Sequence, residues 1–318
     1  MKKIKSNLYN SLLVAARKSQ KVRNVIYQLY HHLNLQQIET EKKVDERGKQ
    51  ARDIENQTVF TPEDYEYLRN HDYAALIRVA RKRDKKIIQA ISPDHVVLNG
   101  PFKGMKFPTI DIKESTLASK IVGSYESELH GVVEHICSTP YQEILDIGCA
   151  EGYYAVGFAK RIPEVTVHGF DIDEYSRSVC MEMSRVNGVG DRVVLHAECT
   201  PETLRTYPFK QKTLVMADCE GYELTLFDET TLENLRNCDL LIELHENAID
   251  GVTSTILSRF APTHHIHLIS TKDKPTVHYE NMDGLSQEDY KAALCDHRGE
   301  IGKVIFMEWA WLTSKYCN

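Results

Sequence analysis

The sequence has no apolar run approaching the roughly 20 residues that a membrane-spanning helix needs, so a soluble protein is expected. Its apolar stretch at Ser11–Ala16 is short for the core of a signal peptide, and charge resumes at Arg17, so no export signal is predicted. None of the eight cysteines belongs to a C-x-x-C pair, which argues against the common zinc and redox motifs. Reduced, mostly buried thiols and a cytoplasmic location are therefore expected.

Acidic residues are missing from the first 38 positions, which hold seven lysines and arginines. Because the whole chain has a formal net charge of −7 and this segment contributes +7, the remainder carries −14. Apolar residues such as Leu8, Leu12 and Leu33 recur at helical spacing, which predicts a basic amphipathic helix or helix pair. Such a helix either packs on this chain or in a homodimer, or touches an anionic surface. Nucleic acid is not an expected partner, because the acidic body would repel phosphate.

Composition and turn signals divide the chain into three predicted regions. Residues 1–57 form the basic helix followed by a charged linker that is poor in large apolar residues. Residues 58–122 begin with the helix start Thr61-Pro62-Glu63-Asp64, continue with a second helix to Ile91, and contain a hairpin pattern between Val96 and Pro108. This second region is expected to form a lid, and residues 123–318 form the main domain.

Helix and strand patterns alternate after about Gly123, and such alternation predicts a parallel sheet with helices on both faces. Seven strands are predicted, at residues 143–147, 165–170, 192–196, 213–217, 240–244, 266–270 and 304–312. The expected fold class is α/β, with a Rossmann-like, doubly wound, seven-stranded and mostly parallel sheet. A helical N-terminal extension precedes it.

Ligand chemistry is predicted where the first strand ends, in the segment Leu145–Gly152, which reads LDIGCAEG. Glycines there let the backbone approach a ligand, and the following helix N-terminus favours negative charge. The spacing is not the G-x-G-x-x-G of dinucleotide enzymes, so a pyrophosphate is not expected. Asp171 ends the second strand, 23 residues beyond Gly148, and suits a carboxylate that accepts hydrogen bonds from ribose hydroxyls. The two features together predict a ligand that carries a ribose without a pyrophosphate.

Two segments carry a resemblance to a known family. Leu145–Gly152 resembles motif I of the class I S-adenosylmethionine (SAM)-dependent methyltransferases, with Ala150 where the middle glycine commonly stands. Ala217–Glu223, which reads ADCEGYE, resembles the D-x-E-G-x-E signature of the FkbM family. The resemblance covers roughly residues 123–312 and implies SAM as the cofactor. The contacts with SAM that it implies are Asp146, Gly148, Gly152 and Asp171.

Position along the chain adds further candidates for binding SAM. Glu198 lies just past the third strand, near the expected place of the adenine, where a neighbouring backbone group is a rival contact. Tyr125 and Glu126 begin the helix before the first strand. They either close over the methionine end of SAM or serve as cap and packing residues.

Four polar residues follow or end the fourth and fifth strands, namely Asp218, Glu220, Glu243 and His245. In the preferred interpretation, His245 or Asp218 is the general base that removes the acceptor proton, and Glu220 orients the acceptor. In a second interpretation all four bind a divalent cation, which is not the favoured cofactor. In a third, some of them only cap turns, because alternate residues of a strand point to opposite faces.

The sequence therefore predicts a SAM-dependent methyltransferase. The resemblance implies methyl transfer to an oxygen, and a hydroxyl of a small molecule or sugar is the expected acceptor. One alternative is an N- or carboxyl-methyltransferase, and another is a non-catalytic SAM- or metabolite-binding protein that interacts through its N-terminal helices. The set of Asp218, Glu220, Glu243 and His245 favours catalysis over the latter.

Overall fold

A computed structural model describes residues 46–57, 61–112, 116–209, 211–246, 248–271, 278–295 and 308–316. The basic helix predicted within residues 1–38 lies outside this described part. The chain divides into two compact units between Leu76 and Ile77. The region boundaries predicted at residues 57 and 122 stay predictions.

Among its described residues, the first unit includes the helices α1 (Glu46–Glu55) and α2 (Pro62–His71), which pack against each other. Helix α2 begins where the sequence predicts it. The backbone N–H of Asp64 donates to the Thr61 hydroxyl at 3.2 Å, and the Asp64 carboxylate accepts from the Thr61 backbone N–H at 2.8 Å. This reciprocal pair satisfies amides that would otherwise lack partners at the helix start.

The second unit is built around a seven-stranded sheet. Its strands are β1 (Glu143–Ile147), β2 (Thr166–Phe170), β3 (Val193–His196), β4 (Thr213–Ala217), β5 (Asp239–Leu244), β6 (His264–Ser270) and β7 (Glu308–Ser314). The helices that follow α2 are α3 (Tyr73–Ile91), α4 (Leu117–Val122), α5 (His130–Ser138), α6 (Tyr153–Arg161), α7 (Glu174–Val186), α8 (Pro201–Thr206), α9 (Glu223–Leu226), α10 (Leu232–Leu235), α11 (Val252–Phe260) and α12 (Gln287–Ala293). None of the described helices is long and apolar enough to cross a bilayer.

The strand order is β3-β2-β1-β4-β5-β7-β6, and β7 alone runs antiparallel to its neighbours β5 and β6. This arrangement confirms the predicted fold class, a Rossmann-like and mostly parallel sheet. The chain winds outward from β1 to β3, then returns to the centre and winds the other way from β4. The order therefore reverses between β1 and β4, and ligands of such sheets bind at the carboxyl ends of the strands at this switch point.

The two faces of the sheet are covered by two apolar clusters. One cluster joins Ile144 and Leu241 to residues of α4–α7, and the other joins Leu145 and Ile242 to residues of α8–α11. Because side chains alternate along a strand, Asp146 lies on the face of Ile144, and Glu243 lies on the face of Leu241. Two buried carboxylates of separate strands thus share one face of the sheet.

Two predicted helices differ from the observed ones. The single helix predicted over residues 224–235 is wrong, because two short helices, α9 and α10, occupy that stretch. The Asp228 carboxylate accepts from both the backbone N–H and the hydroxyl of Thr230, and such local bonds compete with helical ones. The helix predicted over residues 125–137 begins later, as a 3₁₀ turn at Ser127–Leu129 followed by α5, because Glu126 has a left-handed backbone (φ 46°).

The hairpin pattern at residues 96–108 forms a single antiparallel bridge, between Val96 and Lys106. The last predicted strand, residues 304–312, is described from Glu308 and continues to Ser314. None of the described cysteines forms a disulfide, and Cys149, Cys180, Cys199 and Cys238 are buried.

Asp84 gives the fold a pH-dependent element. Its carboxylate accepts from the backbone N–H of Ala118 at 3.2 Å, in the first turn of α4, and burial raises its pKa to about 7. The pKa in the unfolded chain is about 3.9. The folded pKa is thus the higher one, so the contribution of this group to stability is complete below about pH 4 and is lost as the pH rises towards about 7.

We expect the free energy of unfolding of Asp84→Asn to fall less than that of the parent protein when the pH is raised from about 5 to about 8, because the amide does not ionise. Urea unfolding at both pH values measures this difference. The exposed carboxylate variant Asp191→Asn is the control and should follow the parent. Parallel pH profiles for the parent and Asp84→Asn would show that Asp84 ionises normally.

Candidate active site

The loop after β1 is held between the ends of β2 and β4. The backbone N–H of Gly148 donates to the carbonyl oxygen of Phe170 at 2.8 Å, and the N–H of Asp218 donates to that of Ile147 at 2.9 Å. Gly148 has φ 89°, and a Cβ at this position would lie 1.8 Å from the carbonyl oxygen of Asp218. Only glycine fits here, and the loop therefore lies directly against the segment that follows β4.

A second glycine ends this loop at the start of α6. Gly152 has φ 98°, and a Cβ there would lie 2.6 Å from the Cys180 sulfur on α7. Between the two glycines, the N–H of Ala150 donates to the Asp171 carboxylate at 2.9 Å. The loop after β1 and the acid after β2 thus form one structure at the switch point of the sheet.

Asp171 is positioned by backbone amides on both of its carboxylate oxygens. Oδ1 accepts from the Asp173 N–H at 2.7 Å, and Oδ2 accepts from the Ala150 N–H at 2.9 Å. Partial burial raises the pKa of Asp171, while these two hydrogen bonds act in the opposite direction. A carboxylate offers about four acceptor positions, so about two remain for the hydroxyl groups of a ligand.

Asp146 carries a buried oxygen that meets no hydrogen-bond donor among the described residues. This atom, Oδ2, lies at the end of β1, and the side chain is almost fully buried. Burial, followed by the charges of Asp218 and Asp171, raises the pKa of Asp146 to about 8. A ligand that brings an ammonium group to this oxygen would satisfy it.

A backbone contact joins the ends of β2 and β3, and both Ile172 and Glu198 follow it closely in the chain. The Asp171 N–H donates to the carbonyl oxygen of His196 at 3.2 Å, and Glu198 follows two residues later with an exposed side chain. Ile172 directly follows Asp171, and 68% of its surface is exposed. Sequence reasoning missed Ile172, although an apolar residue directly after the acid that ends β2 is a usable signal for an apolar ligand surface.

Tyr125 and Glu126 both contact the start of α6. The Tyr125 ring packs edge-on against the Tyr153 ring, with 5.4 Å between centroids, and the buried Glu126 carboxylate accepts from the Tyr154 hydroxyl. Lys120 Nζ lies 4.8 Å from the centre of the Tyr125 ring. Tyr125 therefore lies beside a buried cation that sequence reasoning did not select.

Lys120 forms a buried ion pair with the loop itself. Its Nζ donates to Oε1 of Glu151 at 2.6 Å, and both side chains are almost fully buried. A lysine inside the mostly apolar α4, which reads LASKIV, was the available signal in the sequence. Because burying two charges is costly, this pair contributes little to stability, and it joins α4 to the loop after β1.

His245, which directly follows β5, lies at the centre of a second group of polar residues. Its Nδ1 lies 2.8 Å from Oε1 of Glu223, a buried carboxylate that also accepts from the backbone N–H groups of Cys219 and Gly221. The other ring nitrogen, Nε2, is surrounded by three carboxylate oxygens. These are Asp218 Oδ1 at 3.5 Å, Glu220 Oε2 at 3.6 Å and Glu243 Oε2 at 3.6 Å.

All four residues predicted at the ends of β4 and β5 are thus close together. Glu223 was not selected from the sequence, although it is the last residue of the segment ADCEGYE. Burial lowers the pKa of His245, but the hydrogen bond with Glu223 and the charges of Glu223, Asp218 and Glu220 outweigh it, so the pKa is raised. The group therefore attracts positive charge to Nε2.

No protein-family model and no curated protein matches the sequence. Solved structures that match include the O-methyltransferase TomG of Streptomyces achromogenes, in complex with SAM, at 14% identity and a TM-score of 0.40, over 73% of this chain and 89% of TomG. An rRNA methylase of Streptococcus thermophilus matches at 14% identity and a TM-score of 0.39, over 58% of this chain and 96% of the methylase. A precorrin 8W decarboxylase of Methanobacterium thermoautotrophicum matches at 16% identity and a TM-score of 0.35, over 45% of this chain and 75% of the decarboxylase.

We expect Gly148→Ala to destabilise the protein far more than Gly104→Ala. Both glycines have positive φ, so both variants carry the left-handed strain of about 1–2 kcal/mol, but a Cβ at Gly104 meets nothing within 4 Å. At Gly148 the added contact with the Asp218 carbonyl forces the backbone to move, which should at least double the loss. Urea unfolding measures both; equal losses would show that the loop has room for a side chain.

Proposed function

We propose that this chain is a SAM-dependent methyltransferase that methylates a hydroxyl of a small molecule or sugar. The observation that supports this most is the contact between Gly148 and Asp218 at the switch point of the sheet. This contact brings two features together. The loop after β1 suits a nucleoside ligand, and the polar residues after β4 and β5 suit an acceptor hydroxyl. The choice of a hydroxyl acceptor, and the assignment to an FkbM-like enzyme, follow from the resemblance of residues 217–223.

The residues around Asp171 fit the nucleoside part of SAM. The remaining acceptor positions of its carboxylate suit the two ribose hydroxyls. The exposed Ile172, next to Asp171 in the chain, offers an apolar surface for the adenine, and the exposed Glu198, two residues after His196, offers a polar contact. The loop contains no G-x-G-x-x-G spacing, in keeping with a ligand that has no pyrophosphate.

The other side of the loop fits the methionine part. This part carries an ammonium group, which suits the unsatisfied Oδ2 of Asp146. Gly148 and Gly152 keep the loop free of side chains, and Tyr125 lies beside the start of α6. When bound, SAM supplies a methyl group on a positively charged sulfur.

Asp218, Glu220 and His245 form the acceptor site of this proposal. The acceptor hydroxyl loses its proton as its oxygen forms the new bond to carbon, so an acceptor for that proton is needed nearby. Asp218 Oδ1 is buried and has no hydrogen-bond partner among the described residues, and His245 Nε2 lies 3.5 Å from it. The exposed Glu220 carboxylate, 3.6 Å from the same nitrogen, is placed to orient an incoming hydroxyl.

We expect Asp171→Asn to weaken SAM binding about 10-fold or more, because one charged acceptor of a ribose hydroxyl is lost. Isothermal titration calorimetry with SAM measures the affinity. The variant Asp191→Asn makes the same change of charge at an exposed residue just before the start of β3, away from Asp171, and should bind SAM as the parent does. A parent protein that does not bind SAM would overturn the proposed function.

We expect His245→Ala and Asp218→Ala to lower methyl transfer about 100-fold or more, because a positioned proton acceptor contributes about that factor. Transfer is measured with SAM labelled in its methyl group and a panel of sugars and small hydroxyl compounds. His267→Ala, on the exposed edge strand β6, is the control and should keep the parent rate. Full turnover in both His245→Ala and Asp218→Ala would contradict the assigned acceptor site.

A further inference from the structure

We propose that Asp218, Glu220 and His245 bind a divalent cation of the Mn²⁺ type, which in turn binds the acceptor oxygen. One ligand atom from each residue lies within 4.8 Å of the other two. The cation site is argued from the geometry of these side chains, and only its role towards the acceptor rests on the proposed function.

The distances around Nε2 of His245 are close to those between ligands of one cation. Asp218 Oδ1 and Glu220 Oε2 lie 3.5 and 3.6 Å from it, which exceeds the roughly 2.7–2.9 Å of a charge-assisted hydrogen bond. Two atoms that each lie about 2.1 Å from a shared cation are about 3–3.5 Å apart. The oxygens of Asp218 and Glu220 are therefore too far from Nε2 for a direct hydrogen bond, and the gap on each side leaves room for an ion.

The buried imidazole is oriented towards this position from behind. His245 is only 2% exposed, and its Nδ1 lies 2.8 Å from Oε1 of Glu223. A proton on Nδ1 that is donated to Glu223 leaves the lone pair on Nε2, which is the form that binds metals. Glu223 is itself held by the N–H groups of Cys219 and Gly221, so the imidazole cannot easily turn away.

The charge of the site also fits a cation. Four carboxylates, those of Asp218, Glu220, Glu223 and Glu243, lie within ion-pair distance of one imidazole. That ring supplies at most one positive charge, and carboxylates as deeply buried as Glu243 are costly unless their charge is offset. A dication offsets more of this charge than a proton does.

The ligand types and the access favour a catalytic ion of the Mn²⁺ kind. One imidazole nitrogen with carboxylate oxygens suits Mn²⁺ better than the thiolate-preferring ions. The Glu220 side chain is 90% exposed, whereas His245 is buried, so the site is open on one side. An open coordination position on that side would receive the oxygen of the acceptor.

The test is a titration of the full-length chain with Mn²⁺ alone, followed by electron paramagnetic resonance. We expect one bound ion per chain with a nitrogen coupling from a single imidazole. His245→Ala and Asp218→Ala should abolish binding, and Glu220→Gln should weaken it about 10-fold while leaving the fold intact, because that side chain is exposed. His267→Ala, which removes an exposed histidine of β6, should bind as the parent does.

The proposal is overturned by the absence of binding up to about 1 mM Mn²⁺, a free energy of about −4 kcal/mol. Undiminished binding in Glu220→Gln or Asp218→Ala, or bound Mn²⁺ without nitrogen coupling, overturns it equally. Calorimetry with SAM separates the two proposals. If the chain binds SAM but not Mn²⁺, only the proposed cation site is overturned. If it binds Mn²⁺ but not SAM, the proposed methyltransferase function is overturned.

Discussion

The backbone of Gly148 passes so close to the carbonyl oxygen of Asp218 that any side chain at Gly148 would collide with it. This approach joins the loop after β1 to the turn after β4, at the point where the strand order reverses. From Gly148 the loop continues to Ala150, whose amide positions Asp171. Asp218 in turn lies 3.5 Å from Nε2 of His245, which directly follows β5. Both halves of the candidate active site therefore depend on one backbone contact.

Several strained residues and buried charges lie in or beside the loop after β1 and the turn after β4. Glu126, Ala150 and Glu220 have left-handed backbones that favour glycine, and such conformations cost about 1–3 kcal/mol each. Asp146 and the Lys120–Glu151 pair bury charged or titratable groups beside the same loop. Buried ion pairs and strained residues do little for stability and persist where the surrounding structure holds them. The sheet provides that support, since its two apolar clusters cover both faces.

The strands were predictable because each one is read from local periodicity. The five strands predicted first agree with the observed ones to within one residue at either end. The helix predicted over residues 224–235 failed where side chains compete with the helix for backbone groups, as at Asp228. The helix predicted from Tyr125 does not begin there, because Glu126 has a left-handed backbone that no local sequence pattern indicates. Errors of this kind lie in connections, where tertiary packing overrides propensity.

By itself, the sequence determined the Rossmann-like sheet, the glycine loop after β1, the acid at the end of β2 and the polar residues after β4 and β5, since all of these follow from order along the chain. Only the tertiary structure decided that Lys120 pairs with Glu151, and that His245 lies among four carboxylates. These partners are 22 to 31 residues apart, except for Glu243, and packing of separate elements brings them together. The distances of 3.5–3.6 Å between Nε2 and the oxygens of Asp218 and Glu220 likewise depend on that packing, and no sequence pattern encodes them.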